Sequence, residues 1–210
     1  SLNSGITNLE NPNFLDGEIK SGNVVFNLVS NKNNKAIVVD DVAGSTTVAP
    51  VAEINKDVSS IIFLQACANE AENEKAYEKI YDFDDTAEPL GYYEVQYEDG
   101  LVETIPIRYG VNILDWKWRQ RISSGAKDKI KSHQNKYAYK AAAVECAKEG
   151  TAPVTFFSFE WKNPRFGKKI KQVTLHAVSK KKGNENAVIL LALSVTENKK
   201  VKEATGTEEQ

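Results

Sequence analysis

The sequence predicts an all-β fold, a jelly-roll β-sandwich of about nine strands with little helix. Short runs of alternating or continuous apolar residues recur with turn signals roughly every 8 to 15 residues, and no helical period persists over about 12 residues. No repeat period stands out, which argues against a propeller or a solenoid. Of the 210 residues, 41% are hydrophobic, enough for the core of a single domain.

The domain is expected to occupy residues 23–197. Residues 1–22 are rich in asparagine and glycine, which predicts an irregular N-terminal segment, and the charged residues 198–210 predict a disordered tail. Residues 69–90 carry eight carboxylates against two lysines, which predicts an acidic loop inserted into the sandwich. The chain contains no methionine, so we expect a processed form or a piece of a longer polypeptide.

The first strands are predicted from alternation and turn residues. Residues 24–29 and 36–39 are expected to pair as a hairpin across an asparagine-rich turn, and residues 58–67 to form a strand buried on both faces. Tyr93, Val95 and Tyr97 alternate with polar residues ahead of an Asp-Gly turn, which predicts a hairpin whose return strand spans residues 101–108.

Pro106 cannot donate a hydrogen bond to a ladder, so the return strand is expected at a sheet edge or at a bulge. Residues 112–118 are then predicted to cross the end of a sheet. Four further strands follow, at residues 137–146, 154–161, 170–178 and 188–195, of which the last is nearly all apolar and is expected to be central.

Charge excludes a dedicated nucleic-acid-binding role. Lysine and arginine number 27 and aspartate and glutamate 29, so the net charge of −2 creates no overall field that would attract nucleic acid or an acidic membrane surface. No apolar run approaches the roughly 18 residues of a membrane span. We therefore expect neither a nucleic-acid partner nor a membrane span.

The two cysteines, Cys67 and Cys146, lie in apolar stretches. Buried free thiols are the favoured interpretation, and one disulfide between neighbouring strands, which would indicate an oxidising compartment, is the alternative. Two cysteines and two histidines are too few to suggest a zinc site.

Catalytic signatures are lacking: the sequence has no dinucleotide-binding or phosphate-binding glycine motif, no His-Glu-x-x-His and no Gly-x-Ser-x-Gly. His176, on a predicted strand, is expected to be a surface or structural histidine, and His133 to be solvated. Two carboxylates could still hydrolyse a glycan, but sequence spacing does not select a pair among 29 candidates.

Oxygen ligands for a possible Ca²⁺ ion are offered by the acidic stretch. Asp82, Asp84, Asp85 and Glu88 lie within seven residues, and Ca²⁺ takes about six to eight oxygen ligands. The stretch lacks the EF-hand pattern, so a solvated acidic loop is the other interpretation.

A sugar-binding platform is suggested by Trp116 and Trp118, which lie on one face of the chain if it is extended. Sugar rings stack on flat side chains, and Tyr109, Asp115 and Arg119 would supply an aromatic neighbour and polar groups. Aromatic residues at this spacing are more often part of a core. Trp161, which ends a strand with Phe157 and Phe159, is expected to be core.

Several motifs together resemble a galactose-binding-like β-sandwich module that is appended to bacterial glycoside hydrolases and other polysaccharide-degrading enzymes. The resemblance spans residues 22–196. It is carried by Gly91-Tyr-Tyr-Glu-Val-Gln-Tyr-Glu-Asp-Gly, Glu103-Thr-Ile-Pro-Ile-Arg-Tyr-Gly-Val-Asn-Ile-Leu-Asp-Trp116, Phe159-Glu-Trp-Lys-Asn-Pro and the closing strand at 188–194.

The resemblance implies a non-catalytic module that binds a glycan or braces an adjacent catalytic domain of a longer polypeptide. It also implies an extracellular, periplasmic or cell-surface location, and it assigns no catalytic residue. Two alternatives stay open. One is a structural or protein-interaction β-sandwich without a small ligand, marked by an apolar surface patch and no aromatic-lined cleft. The other is a stand-alone glycan hydrolase.

Overall fold

A computed structural model describes residues 17–28, 36–42, 45–71, 87, 89–118, 138–146, 153–178 and 186–198. This part of the chain is nearly all β and contains eleven strands. They are β1 (Gly17–Ser21), β2 (Val24–Leu28), β3 (Ile37–Val39), β4 (Val48–Lys56), β5 (Val58–Cys67), β6 (Pro89–Tyr97), β7 (Val102–Arg108), β8 (Ala141–Cys146), β9 (Val154–Lys162), β10 (Ile170–Ala177) and β11 (Val188–Glu197).

Two antiparallel sheets form the sandwich. The four-stranded sheet has the order β4-β10-β6-β7, and the five-stranded sheet has the order β3-β11-β5-β9-β8. Their facing side chains make the first core cluster, in which the rings of Phe63 from β5 and Tyr93 from β6 stack 3.9 Å apart. The predicted all-β class is therefore confirmed, while the jelly-roll type stays a prediction.

The five-stranded sheet is buried on both faces. Ile61 and Phe63 of β5 point into the first core cluster, whereas Ile62 and Leu64 point into a second cluster on the opposite face. The hairpin of β1 and β2 covers that second face with Phe26, which is 2% exposed. The predicted burial of residues 58–67 on both faces is confirmed, because each face of β5 has its own core.

The predicted pairing of residues 24–29 with 36–39 is wrong. β2 pairs with β1 across Gly22 and Asn23, and β3 pairs instead with β11. β1 thus lies inside the segment that was expected to be irregular. Alternation marks which side chains share a face of a strand but not which strand is its neighbour, and the two-residue glycine turn makes the nearer partner available.

The hairpin of β6 and β7 is confirmed. Its register pairs Gln96 with Val102, and Gly100 has a φ of 87° at the turn, a conformation that glycine adopts without steric cost. Pro106 lies in β7, which is an edge strand, as predicted. β4 was not anticipated from sequence; it is also an edge strand, and it contains Pro50.

The segment after β7 fills the gap between the end of β5 and the start of β9. The N–H of Cys67 donates to the carbonyl of Leu114, and the N–H of Trp116 donates to the carbonyl of Cys67, both over 3.0 Å. The N–H of Thr155 then donates to the carbonyl of Trp116 over 2.9 Å. The prediction that residues 112–118 cross the end of a sheet is confirmed, and the crossing is itself hydrogen-bonded into that sheet.

Both cysteines are buried, and neither forms a disulfide. Cys67 belongs to the first core cluster and Cys146 to the second, so the five-stranded sheet lies between them. The interpretation as buried thiols rather than a disulfide is confirmed. In the described residues, no helix has the length and apolar character needed to cross a membrane.

Candidate functional site

The aromatic residues proposed as a sugar platform are largely buried. Tyr109 and Asp115 are buried, and the Tyr109 hydroxyl donates to Asp115 Oδ2 over 3.2 Å. Trp116 is 7% exposed and donates its indole N–H to the carbonyl of Ala68 over 3.0 Å. These rings face the protein interior because residues 112–116 are hydrogen-bonded between two strands, so they offer no open face to a sugar.

Trp118 and Arg119 do not complete a platform in the described structure. Trp118 is half-buried and meets the ring of Phe157 edge-on, with 6.2 Å between the ring centres. Its buried indole N–H has no hydrogen-bond partner among the described residues. Arg119 lies outside the described residues. Trp161 is half-buried and packs against the first core cluster, in line with the interpretation as a core residue.

The possible calcium ligands, Asp82, Asp84, Asp85 and Glu88, lie outside the described residues. Across the described ranges, no group of three or more His, Cys, Asp or Glu side chains could hold a metal ion.

A buried polar network joins the two sheets near β7. The Tyr93 hydroxyl donates to Gln65 Oε1 over 2.6 Å, and Gln65 Nε2 donates to the carbonyl of Asn112 over 3.1 Å. Asn112 in turn donates to the carbonyl of Pro106 and accepts from the N–H of Arg108, both over 2.9 Å. Burial raises the pKa of Tyr93 well above its ordinary value. Because its polar atoms are satisfied within the core, the network orders the fold rather than offering a reactive group.

An aliphatic groove lies at one open side of the sandwich. It has a volume of about 770 Å³ and runs between β4 of one sheet and β3 and β11 of the other. Its lining is Ala36, Ile37, Val38, Thr46, Ala49, Pro50, Val51, Ala52, Leu190, Leu191, Ala192 and Leu193. Apart from one threonine hydroxyl, every one of these side chains is hydrocarbon, and none is aromatic.

Within the described residues, the strands on the walls of the groove are edges for most of their length, which leaves the groove open there. β3 pairs with β11 only at Val188, Ile189 and Leu190, whereas β11 continues to Glu197 against β5. β4 pairs with β10 alone. Residues 188–190 are therefore buried, as predicted for a central strand, and residues 191–195 are only half-buried.

The outer face of the four-stranded sheet carries a stacked pair. The rings of Tyr92 on β6 and His176 on β10 lie 4.6 Å apart with an interplanar angle of 5°. His176 Nε2 lies 3.9 Å from Glu94 Oε2 and has no hydrogen-bond partner in the part of the chain that the structure describes. In the sheet register, Pro106 on β7 lies opposite Tyr92, and Val48 on β4 lies opposite His176. The four residues therefore form one row across the sheet. His176 thus lies on the outer sheet face.

The turn between β9 and β10 carries an exposed phenylalanine, and side-chain hydrogen bonds hold the backbone of the turn in place. Asn163 Oδ1 accepts from the Tyr97 hydroxyl over 2.6 Å and from the N–H of Arg165 over 2.9 Å. The two terminal guanidinium nitrogens of Arg165, Nη1 and Nη2, donate to the Asp99 carboxylate over 2.9 and 2.8 Å. The guanidinium carbon lies 4.6 Å from the centre of the Tyr97 ring. Phe166 is 82% exposed at the tip of this turn.

Comparisons of the chain with protein-family models, with curated proteins and with solved structures found no match. The resemblance to galactose-binding-like modules therefore rests on the sequence motifs alone.

The groove was missed by the sequence reasoning. The sequence pattern does not predict β4, and the nearly all-apolar run at residues 188–195 predicts a central strand rather than the wall of a groove. The four consecutive apolar residues from Leu190 to Leu193 were the available signal, but the same pattern is typical of a strand between two neighbours.

Proposed function

We propose that this chain is a non-catalytic β-sandwich module that binds an apolar segment of a partner protein in the groove between β4 and β11. The observation that carries the proposal is the aliphatic lining of this 770 Å³ groove at an open side of the sandwich. An adjacent catalytic domain of a longer polypeptide, the partner that the motif resemblance implies, is the first place to look for such a segment.

The lining favours a protein segment over a sugar. Sugar sites need several convergent polar groups and benefit from aromatic faces, whereas the side chains of this groove offer hydrocarbon and the hydroxyl of Thr46, and its other polar groups belong to the backbone. Removing apolar side chains from water favours association. A segment with aliphatic side chains is thus the ligand whose chemistry matches the walls.

A displayed library of random peptides, selected on the folded chain, tests the proposal. We expect the selected peptides to lose at least about tenfold in affinity when a charge is placed in the groove by Leu193→Lys or by Pro50→Glu. Pro50 is exposed, so its substitution changes the groove with little effect on folding. Fluorescence polarisation with labelled peptides gives the affinities.

Val25→Lys is the matched control, because Val25 is also apolar and 40% exposed but lies on β2 outside the groove. Its affinity for the peptides should stay within about twofold of the original. The proposal fails if no selected peptide distinguishes the groove variants from Val25→Lys.

Glycan binding is a second candidate, favoured by the outer face of the four-stranded sheet. The stacked pair of Tyr92 and His176 lies beside the carboxylate of Glu94, and the register places Thr174 and Thr104 on either side of that carboxylate. Hydroxyl and carboxylate groups beside an aromatic ring can form hydrogen bonds with the hydroxyls of a sugar that stacks on the ring.

Calorimetric titration with galactose-, glucose- and uronic-acid-based polysaccharides, with and without Ca²⁺, tests this candidate. Tyr92→Ala should abolish any heat of binding that Tyr139→Ala, an exposed tyrosine in the turn before β8, leaves intact. Binding unaffected by Tyr92→Ala would remove this face from consideration. Release of reducing sugar by the isolated chain would indicate a hydrolase instead.

A further inference from the structure

We infer that one end of the sandwich binds the surface of a membrane that contains anionic lipids. This end, which we call the turn end, consists of the β6–β7 turn at residues 98–102 and the β9–β10 turn at residues 163–169. Apolar side chains of the two turns enter the bilayer interface, and basic residues beside them meet the negative headgroups. No residue that lines the groove belongs to the turn end, so this surface goes beyond the proposed function.

Exposed apolar side chains gather at the turn end. Phe166 is 82% exposed, and Leu101 and Val102 in the neighbouring hairpin are 43% and 45% exposed. The other exposed large hydrophobic side chains of the described residues lie singly elsewhere: Val25 on β2, Val48 on β4 and Tyr139 in the turn before β8. Single exposed apolar residues are ordinary, whereas a group of them in one place marks an interaction surface.

Hydrogen bonds hold the two turns side by side. Arg165 donates through Nη1 and Nη2 to the carboxylate of Asp99, over 2.9 and 2.8 Å. The N–H of Glu98 donates to the carbonyl of Lys169 over 3.0 Å. Phe166 is therefore carried on a backbone whose position is already fixed relative to the hairpin. Little conformational freedom of the backbone is lost when such a surface binds.

Basic residues lie on both sides of Phe166 in the sequence. Residues 162–171 contain no acidic residue, and their cations are Lys162, Arg165, Lys168, Lys169 and Lys171. The net charge of −2 gives the whole chain no attractive field. Screening at physiological ionic strength, however, limits exposed charges to interactions over about 8 Å, so the local charge decides which surface the turn end meets.

The carboxylates of the neighbouring hairpin neutralise only part of this local charge. Asp99 Oδ2 lies 2.8 Å from Arg165 and 3.7 Å from Lys168, so two cations share one carboxylate. Lys169 lies 3.6 Å from Glu98. Residues 98–103 contribute three carboxylates against the five cations of residues 162–171. The positive charge that remains is complementary to an anionic surface.

A membrane matches both features of the turn end better than other anionic partners do. Its interface places hydrocarbon directly beneath negatively charged headgroups, so it binds apolar side chains and cations together. A nucleic acid would use Phe166 as a stacking platform, but Leu101 and Val102 have no flat face for a base. A partner that binds through charge alone would leave all three apolar side chains in water.

Cosedimentation of the folded chain with vesicles tests the inference. One set of vesicles is phosphatidylcholine alone, and the other mixes it with an equal amount of phosphatidylglycerol. We expect at least about tenfold tighter binding to the mixed vesicles. Phe166→Ser should weaken that binding by at least about fivefold and Leu101→Ser by at least about threefold, because each removes hydrocarbon from the interface.

Val48→Ser is the matched control. Val48 is 50% exposed but lies opposite His176, at the end of the four-stranded sheet that is remote from the two turns. Its substitution should leave vesicle binding within about twofold of the original, and so should the groove variant Pro50→Glu. The membrane inference and the groove proposal therefore fail separately. Replacing Lys168 and Lys169 together by glutamine should weaken binding to the mixed vesicles by at least about fivefold.

Quenching by lipids that carry bromine in their acyl chains is the second measurement. Binding to such vesicles should reduce the indole emission of Phe166→Trp by a larger fraction than that of the original chain, because the added ring enters the interface. No binding to either kind of vesicle would overturn the inference, as would equal quenching of the two proteins. Binding that the lysine replacements abolish but Phe166→Ser leaves unchanged would indicate a patch that recognises charge alone, and would overturn it too.

Discussion

The amide of Asn163 organises the turn between β9 and β10. Its oxygen accepts from Tyr97 and from the backbone of Arg165, and its nitrogen donates to the carbonyl of Val58 over 2.8 Å. One side chain thus connects β6, β5 and the turn that carries Phe166, so Asn163 supports this turn together with the ion pair of Arg165 and Asp99.

Asn163→Ala is predicted to lower the free energy of unfolding by about 1–3 kcal/mol, because it leaves several partly buried groups without partners. Urea denaturation measures the change. Phe166→Ser, in the same turn but 82% exposed, should change stability by less than about 0.5 kcal/mol. A Phe166 effect as large as the Asn163 effect would contradict this account.

Asp99 and Arg165 predict a pH dependence. Side-chain hydrogen bonds from Arg165 hold the pKa of the Asp99 carboxyl well below its usual range. The folded pKa lies below the unfolded value of about 3.9, so the stabilisation is present above that pH and is lost as the pH falls further.

Arg165→Gln should therefore be less stable than the original chain at pH 7, with a difference that shrinks below about pH 4. Thermal unfolding at a series of pH values from 7 down to 2 gives the comparison. A difference that is constant over that whole range would show that Arg165 acts through its contact with the Tyr97 ring rather than through Asp99.

Among the elements, the hairpin of β1 and β2 decides how the five-stranded sheet is covered. Phe26 from β2 packs with Ile62 and Leu64 of β5 in the second core cluster. Without this hairpin, one apolar face of the sheet would be open to water, so the hairpin is a structural layer of the fold.

Phe26→Ala is predicted to cost about 3–5 kcal/mol of stability, the range for removing a buried aromatic ring. Val25→Ala on the same strand removes a side chain that is 40% exposed and should cost less than about 1 kcal/mol. Chemical denaturation of the two variants gives the changes in the free energy of unfolding. If both changes are small, the hairpin is only loosely attached to the sheet.

For the whole molecule, the two cores lie on either side of the five-stranded sheet, with one thiol in each. Burial, with a smaller contribution from Glu145, raises the pKa of the Cys146 thiol to about 11. Cys67 is 0% and Cys146 8% exposed, so access of a reagent to either thiol is strongly restricted in the folded protein.

Ellman's reagent should thus react with neither thiol on the timescale of minutes at pH 8 in the native protein, and with two thiols at once in guanidinium. Native labelling should follow the rate of opening rather than the reagent concentration. Rapid labelling of one thiol would show that its core cluster opens independently of the other.

The sequence by itself determined the all-β class, the strands β5 and β9 to β11 to within two residues, and the hairpin of β6 and β7. These features are local. Alternation with a period of two selects extended chain, and an Asp-Gly pair selects a tight turn.

Only the tertiary structure decided which strands are neighbours, which edges stay open and which aromatic residues are covered. Trp116 is buried because a backbone segment is hydrogen-bonded between β5 and β9, and the groove exists because β3 stops after three residues beside a much longer β11. Strand pairing depends on contacts between residues that are far apart in the chain. A local sequence pattern indicates which face of a strand a side chain lies on, but not which strand is its neighbour in the sheet.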